Sequence, residues 1–266
     1  MPGLVFLKLG GSLITNKAKA HSARLYMLNQ ACEQIARAQA DDPSLRLVIG
    51  HGSGSFGHVP ATRYHTRQGV ASVEEWRGFV EVWQAARALN IIVMKSLHKF
   101  GIPALAFPPD AQAIASDGKL VDWDVTLIRT ALQNDLVPVI YGDVLFDRIR
   151  GGTILSTEEL FSSLATQLAP DRILIAGTEA GVWQDYPLRQ QVIPRISPAN
   201  LAEIDEQLRA SEHTDVTGGM RSKVHSMMEL IQNGAVQDVL IFSGIEAGNI
   251  YSSLSGRQLG TLLTRD

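Results

Sequence analysis

The stretch that decides the fold class is L-V-F-L-K-L-G-G-S at residues 4–12. Its first six residues are apolar except for Lys8, and the run stops at two glycines. Short apolar runs that end at glycine are typical of strands buried on both faces, as in parallel sheets covered by helices. Four more runs of this kind occupy residues 45–49, 136–141, 172–176 and 239–242. The chain is therefore predicted to contain a buried parallel sheet.

Helical spacing of apolar residues fills the intervals between these runs. The predicted helices cover residues 22–40, 72–100, 156–168 and 220–233. Two of them begin with a capping box, formed by Ser72 with Glu75 and by Ser156 with Glu159. Repeated strand, glycine and helix units predict an α/β fold with helices on both faces of the sheet. The segments Asp117-Gly118 and Arg150-Gly151-Gly152 predict hairpin turns.

The composition is that of an ordinary globular protein. The 266 residues carry 24 Lys and Arg against 27 Asp and Glu, a net charge of −3, and 45% of them are hydrophobic. This balance predicts neither a nucleic-acid nor a membrane-surface partner. The N-terminal residues lack the layout of a secretory signal, and the single cysteine, Cys32, excludes an internal disulfide and a thiolate metal cluster. We therefore expect a soluble protein of the cytoplasm.

Three glycine-rich segments follow predicted strands or open a predicted helix, at residues 10–12, 52–57 and 218–220. In doubly wound sheets, ligands bind where the strands end. Backbone N–H groups in such loops and at helix starts form anion sites. One such segment would be an ordinary tight turn, but three together predict the binding of an anionic ligand.

The second segment matches the dinucleotide fingerprint Gly52-x-Gly54-x-x-Gly57. That fingerprint needs an acidic residue about 20 positions further on, at the end of the next strand. Glu74 and Glu75 stand there, but they lie at the start of a predicted helix. The context therefore argues against a dinucleotide site, although a nicotinamide-dependent oxidoreductase stays an alternative. No P-loop or protein-kinase signature occurs.

Lysines accompany the glycine segments. Lys8 lies inside an apolar strand, where an ammonium group is costly unless an anion meets it. Lys17 follows the first glycine segment, and Lys223 lies one helical turn after the third. Phosphoryl transfer requires positioning and charge neutralisation more than covalent chemistry from the protein. Glycine nests with nearby lysines therefore predict a phosphotransferase.

These motifs resemble the amino acid kinase superfamily. The resemblance is carried by residues 8–12 (KLGGS), 51–58 (HGSGSFGH), 137–143 (VPVIYGD) and 215–223 (DVTGGMRSK). The G-x-F-G-H ending at His58 is similar to the isopentenyl phosphate kinases and to the fosfomycin kinases. The resemblance implies an open αβα sandwich, ATP with Mg²⁺ as cofactors, and a homodimer. It further implies one domain, with an acceptor-binding lobe over about residues 1–155 and a nucleotide-binding lobe over about 156–266.

The resemblance also assigns roles to individual residues. The residues expected to act in catalysis are Lys8, Lys17, His58, Glu158 and Lys223. The residues expected to bind ATP are Lys8, Gly10, Gly11, Ser12, Gly54, Thr178, Gly219 and Lys223. The residues expected to bind the acceptor are Ser53, Gly54, His58 and Thr157. No residue is assigned as a metal ligand, and His51 is interpreted as part of the loop structure.

His58 is the residue expected to set the acceptor class. A phosphate monoester has a second pKa of about 6, so it is already anionic at neutral pH and needs a hydrogen-bond donor rather than a base. The expected reaction is ATP-dependent phosphorylation of isopentenyl phosphate to isopentenyl diphosphate in isoprenoid biosynthesis. The alternatives are a kinase of the same fold that acts on another phosphate or phosphonate, such as fosfomycin, and a non-catalytic nucleotide sensor.

Two segments depart from the family pattern. Thr157-Glu158 stands where the family has Gly-Asp, and Thr178-Glu179-Ala180-Gly181 stands where it has Asp-x-Asp-Gly. We expect Glu158 to orient Lys8 and Lys223 by ion pairing, a role that tolerates one additional methylene. The helix from Ser72 carries an apolar stripe that is interpreted as core, with one end available to an acceptor tail; its members are Trp76, Phe79, Val80, Trp83 and Ala86.

Overall fold

The structure is a computed structural model that describes residues 3–211 and 219–266 of the chain. The strands are β1 (Leu4–Leu9), β2 (Arg46–His51), β3 (Ala104–Ala106), β4 (Ala113–Ser116), β5 (Lys119–Trp123), β6 (Val137–Tyr141), β7 (Asp143–Asp147), β8 (Gly151–Leu155), β9 (Arg172–Gly177), β10 (Arg195–Ile196), β11 (Asp238–Ser243) and β12 (Thr261–Thr264). The helices are α1 (Gly11–Ile14), α2 (Leu25–Asp41), α3 (Gly54–Tyr64), α4 (Val73–Lys99), α5 (Thr126–Gln133), α6 (Thr157–Leu168), α7 (Leu201–Ser211), α8 (Gly219–Gln232) and α9 (Asn249–Leu254).

The main sheet has eight strands in the order β10-β12-β11-β9-β1-β2-β6-β3. Every neighbouring pair in it is parallel except β11 with β12. The five apolar runs predicted as strands are β1, β2, β6, β9 and β11, and they are contiguous at the centre of the sheet. A mostly parallel sheet is therefore confirmed.

Two helical layers cover the sheet, as alternate residues of each strand show. Leu4 and Phe6 of β1 pack with α5, α6, α7 and α8 on one face. Val5 and Leu7 pack with α1, α2, α4 and α9 on the other face. Successive side chains of a strand point to opposite faces, so this division is what an αβα sandwich requires. The predicted fold class is confirmed.

A second, smaller sheet has the order β5-β4-β7-β8. The predicted turn at Asp117-Gly118 lies between β4 and β5, whereas of the second predicted turn only Arg150 lies between β7 and β8, because Gly151 and Gly152 already belong to β8. Asp147 joins these two turns, because its carboxylate accepts hydrogen bonds from the backbone N–H groups of Asp117, Gly118, Ile149 and Arg150 at 2.7–3.0 Å. The turns were predicted from sequence, but the sheet that they form was not.

Both predicted capping boxes are present. Ser72 caps α4 with Glu75, and Ser156 caps α6 with Glu159. The stripe on α4 is only partly core, because Phe79 is buried whereas Val80 is 47% exposed, which contradicts the interpretation of Val80 as a core residue. Across the part of the chain that the structure describes, no helix combines the length and the apolar character needed to cross a bilayer.

Candidate active site

Several of the predicted site residues, namely Lys8, Gly11, Gly54, Glu158 and Lys223, lie at one edge of the main sheet, where β1, β2 and β9 end side by side. The helices α3, α6 and α8 all begin at or just after this edge. Free backbone N–H groups at helix starts attract anions, and the helix dipole adds to that attraction. The topology therefore concentrates three such starts around the end of β1.

The first two glycine segments pack directly against each other. A Cβ atom on Gly11 would lie 2.6 Å from the backbone nitrogen of Gly54, so a side chain cannot be accommodated there. Gly54 has a φ of +48°, a left-handed conformation that favours glycine, and a Cβ on it would lie 2.7 Å from the Gly11 carbonyl oxygen. Thr15 joins the same two segments, accepting a hydrogen bond from Ser55 N at 3.0 Å and donating one to Gly11 O at 2.7 Å. The two segments form one backbone surface.

Lys8, Glu158 and Lys223 meet beside that surface, and we call these three residues the transfer cluster. Lys8 lies on the α6 and α8 face of β1 and is 6% exposed. Its Nζ forms a short ion pair with Glu158 Oε1 in the first turn of α6. Lys223 Nζ, in the first turns of α8, lies 3.8 Å from the same oxygen. Two ammonium groups thus share one carboxylate.

The ionisation of Glu158 is set by this sharing. Burial raises the pKa of the carboxyl group, but the charges of Lys8 and Lys223 and the hydrogen bond from Lys8 outweigh that effect and lower the pKa to about 2. Glu158 therefore carries a negative charge at any physiological pH. It can hold two ammonium groups in place, but it cannot act as a base near neutrality.

Thr157 and His51 are buried next to the transfer cluster, where the start of α6 meets the end of β2. The Thr157 hydroxyl donates to His51 O at 2.6 Å and accepts from Gly142 N at 3.0 Å, and the residue is 1% exposed. The hydroxyl is thus buried and already bonded to the protein, and the predicted contact of Thr157 with the acceptor stays a prediction. Only its backbone N–H at the start of α6 is left for such a contact.

His51 is a structural residue, as its sequence context indicated. Its ring stacks on Tyr141 with centroids 5.2 Å apart, and its Nε2 lies 3.1 Å from Asn90 Nδ2. Burial, together with the charge of Lys8, lowers the pKa of the imidazole to about 4. A neutral imidazole next to the transfer cluster avoids adding a third positive charge.

The other predicted residues lie around this centre at different depths. Ser12 lies in α1, Ser53 lies at the N-cap of α3, and Thr178 follows β9 directly. Gly219 is the first residue of α8 and has a φ of +57°. Lys17 lies in an exposed turn, where the described residues give it no ion pair, so its catalytic role stays a prediction.

His58 and the third glycine segment are only partly covered by the structure. The backbone of His58 belongs to α3, but its side chain lies outside the described part of the molecule. Residues 215–218 of the DVTGGMRSK motif likewise lie outside the described ranges. The predicted acceptor contact of His58 therefore stays a prediction.

The segment Thr178-Glu179-Ala180-Gly181, which departs from the family pattern, takes part in a local network of polar contacts. Glu179 Oε2 accepts a hydrogen bond from Trp183 Nε1 at 2.7 Å, and Glu179 Oε1 lies 3.3 Å from an Arg189 guanidinium nitrogen. Both oxygens of the Glu179 carboxylate therefore already have partners in the residues that follow β9. This network was not predicted from sequence, because neither Trp183 nor Arg189 lies in a recognised motif.

An apolar wall lies beside the smaller sheet. Val70, Phe79, Val82 and Val144 form a separate buried cluster between α4 and the smaller sheet. Trp76, Trp83 and Ile154 pack against it. Most of the predicted stripe on α4 therefore faces this cluster rather than the core beneath the main sheet.

The structure gives no support to a dinucleotide site at Gly52-x-Gly54-x-x-Gly57. Glu75, one of the two candidate ribose partners, accepts hydrogen bonds from the backbone N–H groups of Ala71 and Ser72 at the start of α4. Within residues 3–211 and 219–266, no group of three or more His, Cys, Asp or Glu side chains could hold a metal ion.

Comparisons with known proteins agree with this geometry. The model of the amino acid kinase family matches residues 3–243. An isopentenyl phosphate kinase from Methanocaldococcus jannaschii is 32% identical, with 97% of each chain covered. One from Haloferax volcanii is 34% identical, with 98% of each chain covered.

A solved structure gives the same result in three dimensions. This structure is an X-ray structure of isopentenyl phosphate kinase. It superposes on the present chain with a TM-score of 0.81, and the two sequences are 29% identical. The superposition covers 97% of this chain and 98% of that one. The similarity therefore extends over both sides of the site and is not limited to the sheet.

Proposed function

The chain belongs to the amino acid kinase family, and we propose that it transfers the γ-phosphoryl group of ATP to isopentenyl phosphate, giving isopentenyl diphosphate and ADP. The observation that carries the proposal is the transfer cluster: two lysines share one ionised carboxylate beside two interlocked glycine segments. A phosphotransferase of this family needs such a cationic, backbone-lined site. The full-length similarity to isopentenyl phosphate kinases supports the choice of acceptor.

In the proposed mechanism, Lys8 and Lys223 neutralise charge on the phosphoryl group as it moves. Phosphoryl transfer spreads charge over oxygens that are in line between donor and acceptor, and prearranged cations stabilise this state without reorganisation. Glu158 keeps both ammonium groups aimed at one place. Backbone N–H groups of Gly11 and Gly54 and the starts of α3 and α8 would hold the phosphate oxygens.

The acceptor needs to be held rather than activated. An alkyl phosphate is largely dianionic near neutral pH, so its oxygen attacks without losing a proton first. This agrees with Glu158, whose lowered pKa makes it a poor base. We assign the acceptor phosphate to His58, with Ser53 and Gly54 nearby, and the five-carbon tail to the wall formed by Val70, Phe79, Val82 and Val144.

We propose that Mg²⁺ enters with the nucleotide. The carboxylate of Glu158 is already paired with two lysines. Among the described residues, no cluster of three or more His, Cys, Asp or Glu side chains could hold a metal ion without the substrates. Mg²⁺ commonly keeps most of its waters and is bound largely through substrate phosphates, where it neutralises charge. Lys8, Lys223 and the helix starts would then bind the remaining phosphate oxygens.

We also propose the division of labour between lobes that the family suggests, with the acceptor on residues of about 1–155 and the nucleotide on about 156–266. Lys8 on β1 lies at the junction, since β1 pairs with β2 on one side and β9 on the other. We further propose a homodimer in the cytoplasm. Exposed Val80 and Ile91 on α4 and Leu105 on edge strand β3 offer apolar surface for the dimer, which would have twice the mass of the 29.0 kDa chain in light scattering.

An acceptor panel tests the proposal. The chain is mixed with ATP and Mg²⁺ and with isopentenyl phosphate, fosfomycin, acetylglutamate or no acceptor, and ADP release is followed. We expect kcat/KM to be highest with isopentenyl phosphate, and little ADP without an acceptor. Turnover only with fosfomycin, or ATP binding with no turnover on any acceptor, would contradict the proposed acceptor.

A further inference from the structure

A second cluster of charged side chains lies against α8, away from the transfer cluster. Arg221 donates two hydrogen bonds to Asp205 of α7, from Nε to Oδ1 at 2.6 Å and from a terminal nitrogen to Oδ2 at 3.1 Å. His225 Nε2 also contacts Asp205 Oδ1. We call Asp205, Arg221 and His225 the α8 clamp. Bidentate pairing of this kind fixes orientation as well as distance.

The helix periodicity relates the clamp to the transfer cluster. Arg221 and His225 are four residues apart and therefore lie on the same side of α8. Lys223 lies two residues from each, about 200° around the helix from Arg221, and reaches Glu158 of α6. On one side, the first turns of α8 are thus bonded to Asp205 of α7. On the opposite side, they place the Lys223 ammonium group beside Glu158.

Small rotations of α8 have large effects at the end of the Lys223 side chain. At about 5–6 Å from the helix axis, a rotation of about 20° moves an atom by about 2 Å. Misplacement of a catalytic group by about 1 Å can reduce a rate by about 100-fold. The buried residues Val224, Met227 and Met228 pack the middle of α8. The clamp restrains the turns that precede them.

We propose that Asp205 is a positioning residue for phosphoryl transfer, because it fixes the rotation of α8 through Arg221 and His225 and so holds the Lys223 ammonium group beside Glu158. The inference rests on the proposed function. It assigns a role to a residue in α7 that has no place in the motifs of the family resemblance.

The test compares three variants of the full chain. Asp205→Asn is expected to lower kcat at least tenfold, while KM for ATP and for isopentenyl phosphate changes less than threefold. Asp205→Glu keeps a carboxylate and is expected to remain within threefold of the parental kcat. Glu206→Gln, at an exposed acid on the same helix, is the matched control and is expected to behave like the parent. A parental kcat in Asp205→Asn, or an equal loss in Glu206→Gln, would overturn the proposal.

A double-mutant cycle identifies the residue through which Asp205 acts. If Asp205 acts through Lys223, adding Asp205→Asn to Lys223→Met should slow turnover no further. Multiplicative losses in the double variant would overturn the proposal, since they would mean that Asp205 serves the enzyme by another route.

Hydrogen exchange without substrates provides a readout that does not depend on turnover. The amides of α8 are expected to exchange at least tenfold faster in Asp205→Asn than in Glu206→Gln, and equal rates would overturn the proposal. If the parent transferred no phosphoryl group to isopentenyl phosphate, the proposed function would fail, while this measurement would still decide whether Asp205 holds α8.

Discussion

The two charge clusters on either side of α8 differ mainly in composition, since the side chains of Lys223 and Arg221 are both 26% exposed. In the transfer cluster, Lys8 is 6% exposed and two ammonium groups share the single carboxylate of Glu158. In the α8 clamp, the His225 side chain is 45% exposed and the bidentate pair of Arg221 with Asp205 is balanced in charge. Both involve the same two turns of one helix, yet their surroundings suit them to different work.

The difference lies in what each cluster does with its charge. Burying cations is costly in free energy, and a shared carboxylate compensates that cost only in part, so the transfer cluster is suited to receiving an anion. In the α8 clamp the bidentate pair of Arg221 with Asp205 is balanced in charge, so it has no unmatched cation for an anion, and its main effect is to restrict geometry. Substitutions should therefore affect turnover most strongly in the transfer cluster.

Lys8→Met is expected to have the largest effect. Loss of one prearranged charge that meets the transferring phosphoryl group should lower kcat by about 10²–10³-fold, equivalent to about 2.7–4 kcal/mol. Steady-state kinetics with isopentenyl phosphate and ATP measures it. Lys119→Met, at an exposed lysine on β5, is the control and should keep parental kcat. Unchanged kcat in Lys8→Met together with a lower melting temperature would make Lys8 a structural residue.

Glu158→Gln is expected to have the second largest effect on kcat, because both lysines remain but no carboxylate charge holds them in place. We expect kcat to fall by about 10–100-fold with smaller changes in KM, and Glu158→Asp to stay active because ion pairing tolerates the loss of one methylene.

Glu159 provides the matched control for this prediction. Its carboxylate accepts a hydrogen bond from Ser156 N at 2.7 Å and pairs with Arg67 on the surface. Glutamine also serves in a capping box, and exposed ion pairs contribute little, so Glu159→Gln should keep most of the activity. If Glu158→Gln and Glu159→Gln were equally active, Glu158 would not orient the lysines.

Gly54→Ala tests the backbone surface next to the transfer cluster. The substitution adds strain at a φ of +48° and a clash with Gly11 and Thr15, so we expect a loss of about 1–3 kcal/mol in the free energy of unfolding. Gly101 has a φ of +76° with open space around its Cβ position, so Gly101→Ala isolates the backbone strain alone. Urea unfolding of both variants should show the larger loss in Gly54→Ala. An equal loss would mean that the contact between the two glycine segments is not tight.

The last prediction concerns His51 and the dependence of stability on pH. Its folded pKa of about 4 lies below the ordinary value of 6.5, so the unfolded chain binds this proton first as the pH falls. Its contribution to stability is therefore present above pH 6.5 and declines between pH 6.5 and 4. Each pH unit in that window costs up to about 1.4 kcal/mol.

The slope of the unfolding free energy against pH reports how many more protons the unfolded chain binds than the folded one. His51→Gln should reduce that number by up to one between pH 6.5 and 4. Urea denaturation at several pH values measures this slope. The same slope in parent and variant would show that His51 is not held neutral in the fold.

The sequence predicted those parts of the molecule that depend on local signals. The apolar runs around Lys8 predicted the central strands, and the capping boxes at Ser72 and Ser156 predicted two helix starts to within one residue. The meeting of Lys8 with Glu158 was also inferred, because the family resemblance places an acid at residue 158 and an acceptor that is already anionic needs no base there.

The sequence could not predict contacts made by side chains from separate elements. The hydroxyl of Thr157 bonds to His51 O and Gly142 N, and no pattern at Thr157 indicates that it is buried. Asp205 meets Arg221 only because α7 and α8 pack together. The smaller sheet was missed because its strands have four or five residues, too few for a clear period.

The most direct test of the central claim, that the transfer cluster moves a phosphoryl group to isopentenyl phosphate, is ³¹P NMR of the reaction mixture. The parent chain with ATP, Mg²⁺ and isopentenyl phosphate should give the paired resonances of isopentenyl diphosphate and one equivalent of ADP, and Lys8→Met should give neither over the same time. ADP without the diphosphate, or equal diphosphate formation by Lys8→Met, would contradict the claim.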